Sequence, residues 1–389
     1  MKTGLMRLLD DPKRFLGNAR VGLVCNPTTV DGKLKHAADV LAESDDVKLA
    51  QLFGPEHGIR GDVQYMVDVD DEKDDRTNIP VASLYGKVFE SLTPRPRELD
   101  RIDVLVFDVQ DIGVRYYTYA ATMALCMQAA GKAGKKVIVL DRPNPIGGTI
   151  VEGGGLDEHL KSFVGLFAVP HRHGMTVGEL ATLYKTRFGI DCELEVVKCE
   201  GWKRDTYYEA TGLPWVMPSP NMPTVDTALV YSGMCLFEGT NISEGRGTTR
   251  PFEYFGAPFV DSMKLVKELE AYKLPGVFFR TCAFRPTFDK HTGKVCSGAQ
   301  MHITDRRTFQ SYRTGLAITH ALRKLHPNDF AWRNDAYEFR DDVPAFDLLT
   351  GFANVRELIE ASAPFDDVMH AALRGADTYH QGRNAALLY

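Results

Sequence analysis

No apolar run in this chain reaches the roughly 18 residues that a membrane helix needs, and no basic run or face stands out. The formal net charge is -6 at pH 7, which argues against a nucleic-acid partner. Cys-x-x-Cys is absent, and the seven cysteines (25, 126, 192, 199, 235, 282 and 296) are odd in number and scattered. Cys25 and Cys126 sit inside apolar runs, where Cys is commonly a small buried hydrophobe. A disulfide framework is therefore not expected, and reduced thiols are. The first strand-turn, Cys25-Asn26-Pro27-Thr28-Thr29, lacks Gly-x-Gly-x-x-Gly, and there is no Walker Gly-Lys-Thr. No nucleotide cofactor is expected on that test. His-Glu-x-x-His and Gly-x-Ser-x-Gly are also missing, which removes the usual signatures of a zinc protease and of a serine hydrolase. Met1 to Asp11 has no apolar h-region. As the sequence stands the expected compartment is the cytoplasm, or the periplasm or outside if a leader has been removed.

What is present is ordinary in amount and informative in order. The 389 residues, 44% hydrophobic and 25% charged, are enough for two domains with cores well above the marginal size. Short apolar runs alternate with helical stretches. Arg20–Cys25, Val47–Phe53, Ile102–Phe107 and Lys136–Leu140 read as strands, with a helix near 33–43 and another near 118–133 between them. Cys192–Val197 reads as a further strand, and Thr176 with Glu179 reads as a capping box for a helix reaching about Phe188. This alternation predicts an α/β domain that is Rossmann-like, with a mainly parallel sheet and flanking helices. Met234–Phe237 reads as another buried strand. Beyond Pro258 the polar loops thin out, which predicts domains at 1–256 (catalytic) and 257–389 (a smaller α+β domain flanking a cleft). The acidic run Asp68 to Asp75 reads as a solvated loop.

The strands end in polar loops, and in an open α/β sheet chemistry gathers at the carboxyl ends of strands. Glu56, Asp108, Asp111, Glu238 and Glu244 all follow expected strands. Paired acids of this kind fit glycoside hydrolysis, which needs one protonated carboxyl for the leaving oxygen and one charged partner. Arg60, Arg115, Arg142, Arg172 and Arg246 fall in the same loops and suggest an anionic group on the substrate. Tyr116, Tyr117 and Trp215 offer flat surfaces for a sugar. Glycines 58, 239, 245 and 247 let two of the loops approach a ring closely. That favours Glu56 as general acid and Glu244 as partner carboxylate, with His57 tuning Glu56 and with Asp108 and Asp111 orienting the sugar or the acids. Two other readings stay open on residues alone. One is a metal-assisted hydrolase using His57, His171 and His173. The other is a carbohydrate-binding protein whose acids only accept hydroxyl hydrogen bonds.

The loop blocks are Pro55-Glu56-His57-Gly58-Ile59-Arg60-Gly61, Asp108-Val109-Gln110-Asp111-Ile112-Gly113 with Arg115 and Tyr117-Thr118-Tyr119, Asp141-Arg142-Pro143-Asn144-Pro145, Arg172-His173-Gly174-Met175-Thr176, Pro218-Ser219-Pro220-Asn221-Met222-Pro223, and Glu238-Gly239-Thr240-Asn241 to Pro251-Phe252-Glu253. In this order they resemble the exo-β-N-acetylmuramidase family of peptidoglycan hydrolases, long described as a bacterial domain of unknown function. The resemblance runs from about Val21 to beyond Leu325. It implies release of N-acetylmuramic acid from the non-reducing end of a peptidoglycan-derived glycan. It also implies no nucleotide, cofactor or metal, and no membrane partner. The lactyl carboxylate of that sugar is the anion the arginines call for. Within the blocks, the residues expected to bind substrate are Arg60, Gln110, Arg115, Tyr116, Arg142, Asn144, Arg172, His173, Asn221, Glu238, Asn241 and Arg246.

Overall fold

Val104–Asp108 is buried along its whole length, and Arg20–Cys25 at every residue after the first. Continuous burial of this kind marks a parallel sheet covered on both faces. The computed structural model, which describes residues 1–61 and 72–389, places these runs at the centre of a seven-stranded sheet. Its strands are β1 (Arg20–Cys25), β2 (Lys48–Gly54), β3 (Glu72–Lys73), β4 (Pro80–Ser83), β5 (Val104–Asp108), β6 (Lys136–Leu140) and β7 (Leu194–Val197). The spatial order is β3-β4-β2-β1-β5-β6-β7, parallel throughout except for the short β3 edge. Without β3, the order is that of the doubly wound dinucleotide fold, in which sheet growth reverses beside the first strand. The reversal lies between β1 and β5, so the loops after both strands open into one crevice. The expected Rossmann-like, mainly parallel sheet is what the chain forms.

Helix Tyr119–Lys132 covers one face and is buried at nearly every position. Helices Gly4–Asp10 and Ala37–Ala42 cover the other with Leu5, Leu8, Ala37, Ala38 and Leu41. Thr176 caps helix Val177–Thr186, and Glu179 returns the bond to complete the box, as its sequence signature requires. No helix among the described residues is long and apolar enough to cross a membrane.

The second sheet is antiparallel, in the order β8 (Tyr254–Ala257), β10 (Cys296–Ile303), β9 (Val277–Phe284). Helices Ser262–Glu270 and Ser311–Leu325 pack with it. The second of these also crosses helix Val225–Met234 at glycines: a Cβ on Gly233 would fall 2.0 Å from the Ser311 carbonyl oxygen, and one on Gly315 2.2 Å from that of Gly233. Two short helices follow, Ala353–Glu360 and Phe365–Ala372. The last segment returns to the first sheet. Tyr379 donates to the His173 carbonyl at 2.8 Å, and Tyr389 donates to Asp141 Oδ2 at 2.6 Å.

Three expectations change. Met234–Phe237 is not a strand: Met234 ends the helix Val225–Met234, and Cys235–Gly239 is a turn of 3-10 helix. A short apolar run reads the same way for a buried strand and for a buried helix, and this helix is buried at every position except Asp226. Glu238 and Glu244 therefore do not follow a strand of the first sheet. Residue 256 falls inside β8, a strand of the second sheet. Of the acidic run, 68–71 lie outside the described residues, while Asp74 is buried and accepts from Arg60 and Thr77 rather than facing water.

Candidate active site

The loops at the carboxyl edge of the first sheet form an inner layer and an outer one. In the inner layer charges are matched at short range. Asp108 is wholly buried and takes two bonds from Arg142, at 2.5 and 2.8 Å. Glu152 accepts from Arg172 at 3.1 Å and from the Tyr312 amide at 2.9 Å. Asp141 accepts from the Gly178 amide (2.7 Å), Thr176 (2.8 Å) and Tyr389 (2.6 Å). Burial nonetheless pushes its carboxyl up to about 6, against those hydrogen bonds. Arg115 donates to the carbonyls of Gly155, Val169 and Leu349 and to His171 Nε2. Burial pulls its guanidinium down to about 10. Burial, with the Arg115 charge second, holds His171 well below the usual histidine range.

Most residues expected to bind substrate belong to this layer. Asp111 accepts from the Gly113 amide at 2.6 Å and lies 3.3 Å from His173 Nε2. Gln110 donates to the Pro143 carbonyl, Asn144 to that of Met175, and Tyr116 to that of Ser232. Gln110, Arg115, Tyr116, Arg142, Asn144, Arg172 and His173 are all buried. Arg60 is gripped by Asp39 and Asp74 through four bonds of 2.6 to 3.1 Å. Asn241 pins the segment near Ala331, accepting from its amide at 3.0 Å. Asn221 is partly exposed in the Pro-rich loop. The three histidines do not converge. His171 stacks on Tyr312 with centroids 3.7 Å apart, His173 sits on Asp111, and His57 belongs to the outer layer. Among the described residues no group of three or more His, Cys, Asp or Glu is placed to hold a metal ion.

The outer layer lies where the loops of the two sheets meet, joined by ring contacts from Tyr117 through Tyr231 to Phe252. Glu56, in the turn after β2, accepts from Thr118 Oγ1 at 3.0 Å. Its side chain is 25% exposed, and among the described residues the basic group within 4.0 Å of it is His57 Nε2, at 3.9 Å. His57 itself is left-handed, at φ 72°. That costs a non-glycine residue about 1–2 kcal/mol, and its Nδ1 is enclosed without a partner among the described residues. Tyr119 ties the Pro-rich loop beside Glu56 by donating to the Pro218 carbonyl at 2.5 Å. Tyr117, Tyr119, Tyr231 and Phe252 run edge to face, with centroids 4.7 to 5.8 Å apart, as a wall joining the two halves.

Across the cleft, the 3-10 helix presents Glu238, which accepts from Arg246 and, at 2.7 Å, from Tyr337. Glu244 is buried between Arg246 Nε at 3.1 Å and Lys290 Nζ at 2.9 Å. Burial alone would raise its pKa, but Lys290 and Arg246 outweigh it and hold the carboxyl below the usual range. Arg246 lies 5.3 Å over the Phe252 ring. Its Nε and Nη2 are taken, and its Nη1 makes no hydrogen bond among the described residues.

Glu338 was not anticipated. Burial first, then the charges of Glu56 and Glu238, push its carboxyl up to about 8. Its Oε2 is enclosed with no partner among the described residues. Lys290, Thr118 and Tyr337 were not anticipated either. Glu338 stands alone in Asp335-Ala336-Tyr337-Glu338-Phe339-Arg340 with no local pattern to mark it. Only the fold brings it within the influence of the Glu56 and Glu238 charges. The cleft therefore offers a carboxyl without an arginine or lysine partner, a carboxyl that stays protonated at neutral pH, an arginine with a spare donor, and a tyrosine wall. Such a set suits acid catalysis on a polar ring that carries an anion.

Comparison with known proteins agrees over the whole length. Residues 21–226 match the N-terminal model of the exo-beta-N-acetylmuramidase NamZ family, and residues 229–389 match its C-terminal model. The chain is 45% identical over 389 residues to the peptidoglycan beta-N-acetylmuramidase NamZ of Bacillus subtilis, covering all of this chain and 91% of that protein. Two crystal structures of DUF1343 family proteins from Bacteroides fragilis superpose on it. One has a TM-score of 0.91 at 36% identity, the other 0.76 at 28%, and each comparison covers 100% of this chain and 98% of the other.

Proposed function

The chain belongs to the exo-β-N-acetylmuramidase family, and on that footing we propose how its cleft works. It is a glycosidase that releases N-acetylmuramic acid from the non-reducing end of peptidoglycan fragments. Glu56 is the general acid. One observation carries this: of the five acids singled out in the loops, Glu56 is the one without a short ionic partner among the described residues. Asp108 has Arg142, Asp111 has His173, Glu238 has Arg246, and Glu244 has Lys290 and Arg246. A carboxyl spent on a buried cation has no proton to give, whereas one held by a single hydroxyl is free to take up and release one.

Glu56 gives its proton to the glycosidic oxygen as the bond to the anomeric carbon breaks. Water supplies hydroxide to that carbon, and the water's remaining proton restores the acid. Glu244, the expected partner acid, is assigned a supporting part: with Glu238 it fixes the Arg246 guanidinium, whose Nη1 receives the lactyl carboxylate. His57 and Thr118 orient Glu56. Chromogenic N-acetylmuramide and N-acetylglucosaminide, assayed side by side, test this. Loss of a charge-assisted bond is worth ~1.5–3 kcal/mol, so the glucosaminide should be cleaved about one to two orders of magnitude more slowly. Equal rates would remove the role of Arg246. Binding of the muramide without turnover would favour a carbohydrate-binding protein instead.

A further inference from the structure

We propose that the crevice at the reversal of the first sheet is a second binding site, separate from Glu56, that takes the acetamido group of an amino sugar. Thr28, Gln110 and Arg142 line it from the turns after β1, β5 and β6. Met6 of the first helix, with Val30 and Asp31, lines it too, and Leu213, Pro214 and Val216 of the Pro-rich loop complete it. The recess takes in about 340 Å³, its open mouth included. Open sheets of this strand order bind their ligands at this place. A mostly apolar lining with a few placed polar groups is the usual make-up of a small-molecule site.

The walls are held in place before any ligand arrives. Thr28 Oγ1 accepts from the Gln110 amide at 3.0 Å. Tyr208, also at the recess, donates to the Pro214 carbonyl at 3.0 Å, and its ring meets Trp215 edge to face at 5.0 Å. Trp215 Nε1 donates in turn to the Met222 carbonyl at 3.2 Å. A ligand entering such a site orders little of the protein.

The unused polar groups define what fits. Asp108 takes Nε and Nη2 of the buried Arg142, and Nη1 makes no hydrogen bond among the described residues. Gln110 is buried as well. Its Nε2 donates to the carbonyls of Asp111 and Pro143, and its Oε1 has no partner among the described residues. Asp31 Oδ1 accepts from the Lys33 and Lys35 amides at 2.8 Å, while Oδ2 makes no hydrogen bond among the described residues. One donor and two acceptors thus stand among Met6, Val30, Leu213 and Val216. An N-acetyl group answers all of them. Its carbonyl accepts from Arg142, its N–H donates to Gln110 or Asp31, and its methyl meets the apolar side chains. An anion fits poorly, because Asp108 already neutralises Arg142 and Asp31 adds negative charge. A diphosphate fits poorly too. The turn after β1, Asn26-Pro27-Thr28-Thr29, has no glycine for close backbone approach, and Pro27 has no N–H to offer.

The Pro-rich loop is shared with the catalytic site. Two residues beyond Val216, the Pro218 carbonyl accepts from Tyr119, whose hydroxyl lies 3.4 Å from the Glu56 carbonyl. A sugar in the recess therefore rests against the loop that borders Glu56. The inference does not depend on Glu56 being the acid.

The test is magnetic saturation transfer from the protein to N-acetylglucosamine at millimolar concentration. The acetyl methyl should receive the strongest transfer in the sugar. Glucose, glucosamine and acetate, which lack the amide, should receive far less. Val30→Phe and Val216→Phe fill the recess from two walls, and each should weaken binding about tenfold or more. Thermal midpoints identify the variants that fold, and one folded variant is enough to decide. Binding unchanged in the folded variants overturns the proposal, because the sugar then sits elsewhere. No transfer to N-acetylglucosamine, or equal transfer to glucose, overturns it as well. Glu56→Gln should bind N-acetylglucosamine as the unaltered protein does. Loss of binding there would put the sugar at Glu56 and also overturn the proposal. Turnover by that same variant tests the Glu56 reading, so the two readings fail on different measurements.

Discussion

The two layers of carboxylates along the sheet edge have nearly the same composition and opposite fates. In the inner layer Asp108, Asp141 and Glu152 are buried, and each meets a matched donor set. Between the two sheets, Glu56 accepts from the neutral hydroxyl of Thr118, and Glu338 Oε2 is enclosed with no partner among the described residues. A matched buried pair holds parts of the chain in register. A carboxyl without a cation is open to exchange with a substrate. The comparison shows that residue type at the carboxyl edge is a weak guide to chemistry, and that the partner supplied by the rest of the fold decides.

Breaking the inner layer should give the largest effect on folding. Arg142→Met leaves the Asp108 carboxylate buried alone, which typically costs 3–5 kcal/mol, or about two to four orders of magnitude in the folding constant. Urea titration should show it, and Arg142→Met with Asp108→Leu should recover much of the loss. A cost below about 1 kcal/mol would mean that the pair is not the structural tie described here.

The next effect sharpens the cleft. Arg246→Lys keeps a charge but cannot bridge Glu238 and Glu244 while offering a spare donor. The preference for N-acetylmuramide over N-acetylglucosaminide should shrink by about tenfold, some 1.4 kcal/mol. An unchanged preference would place the lactyl group elsewhere.

The smallest effect concerns pH. Asp141 titrates near 6 when folded, above its unfolded value of 3.8. Its contribution to stability is therefore complete below about pH 4 and lost as the pH rises through about 6. Asp141→Asn should flatten the fall in stability across that window by roughly 1 kcal/mol or more. An identical slope in the variant would show that Asp141 is already ionised there.

Much of this was legible in the chain. The apolar runs before Asn26, Gly54, Asp108 and Asp141 end where the strands end, so the sheet and its loop edge follow from periodicity. Thr176 and Glu179 mark their helix start through a local bond. The rest depends on partners distant in sequence. Met234–Phe237 is helical because the helix containing it is buried on all sides by Ser311–Leu325 and its neighbours. Glu244 is closed off by Lys290, and Asp108 by Arg142, and neither pairing leaves a mark near the acid. Glu338 has no motif at all; its enclosed place depends on its neighbours, Tyr337 held to Glu238 and Phe339 packed on Tyr85.

The central claim is that the cleft acid does chemistry and the buried acids hold structure. Glu56→Gln tests it most directly, with turnover of a chromogenic N-acetylmuramide and thermal midpoint measured on the same sample. Removing a general acid costs about two to four orders of magnitude in rate. The expected result is a loss of that size with the midpoint nearly unchanged, because among the described residues the Glu56 side chain makes no ionic contact shorter than 3.9 Å. Near-normal turnover by a folded Glu56→Gln protein would contradict the account.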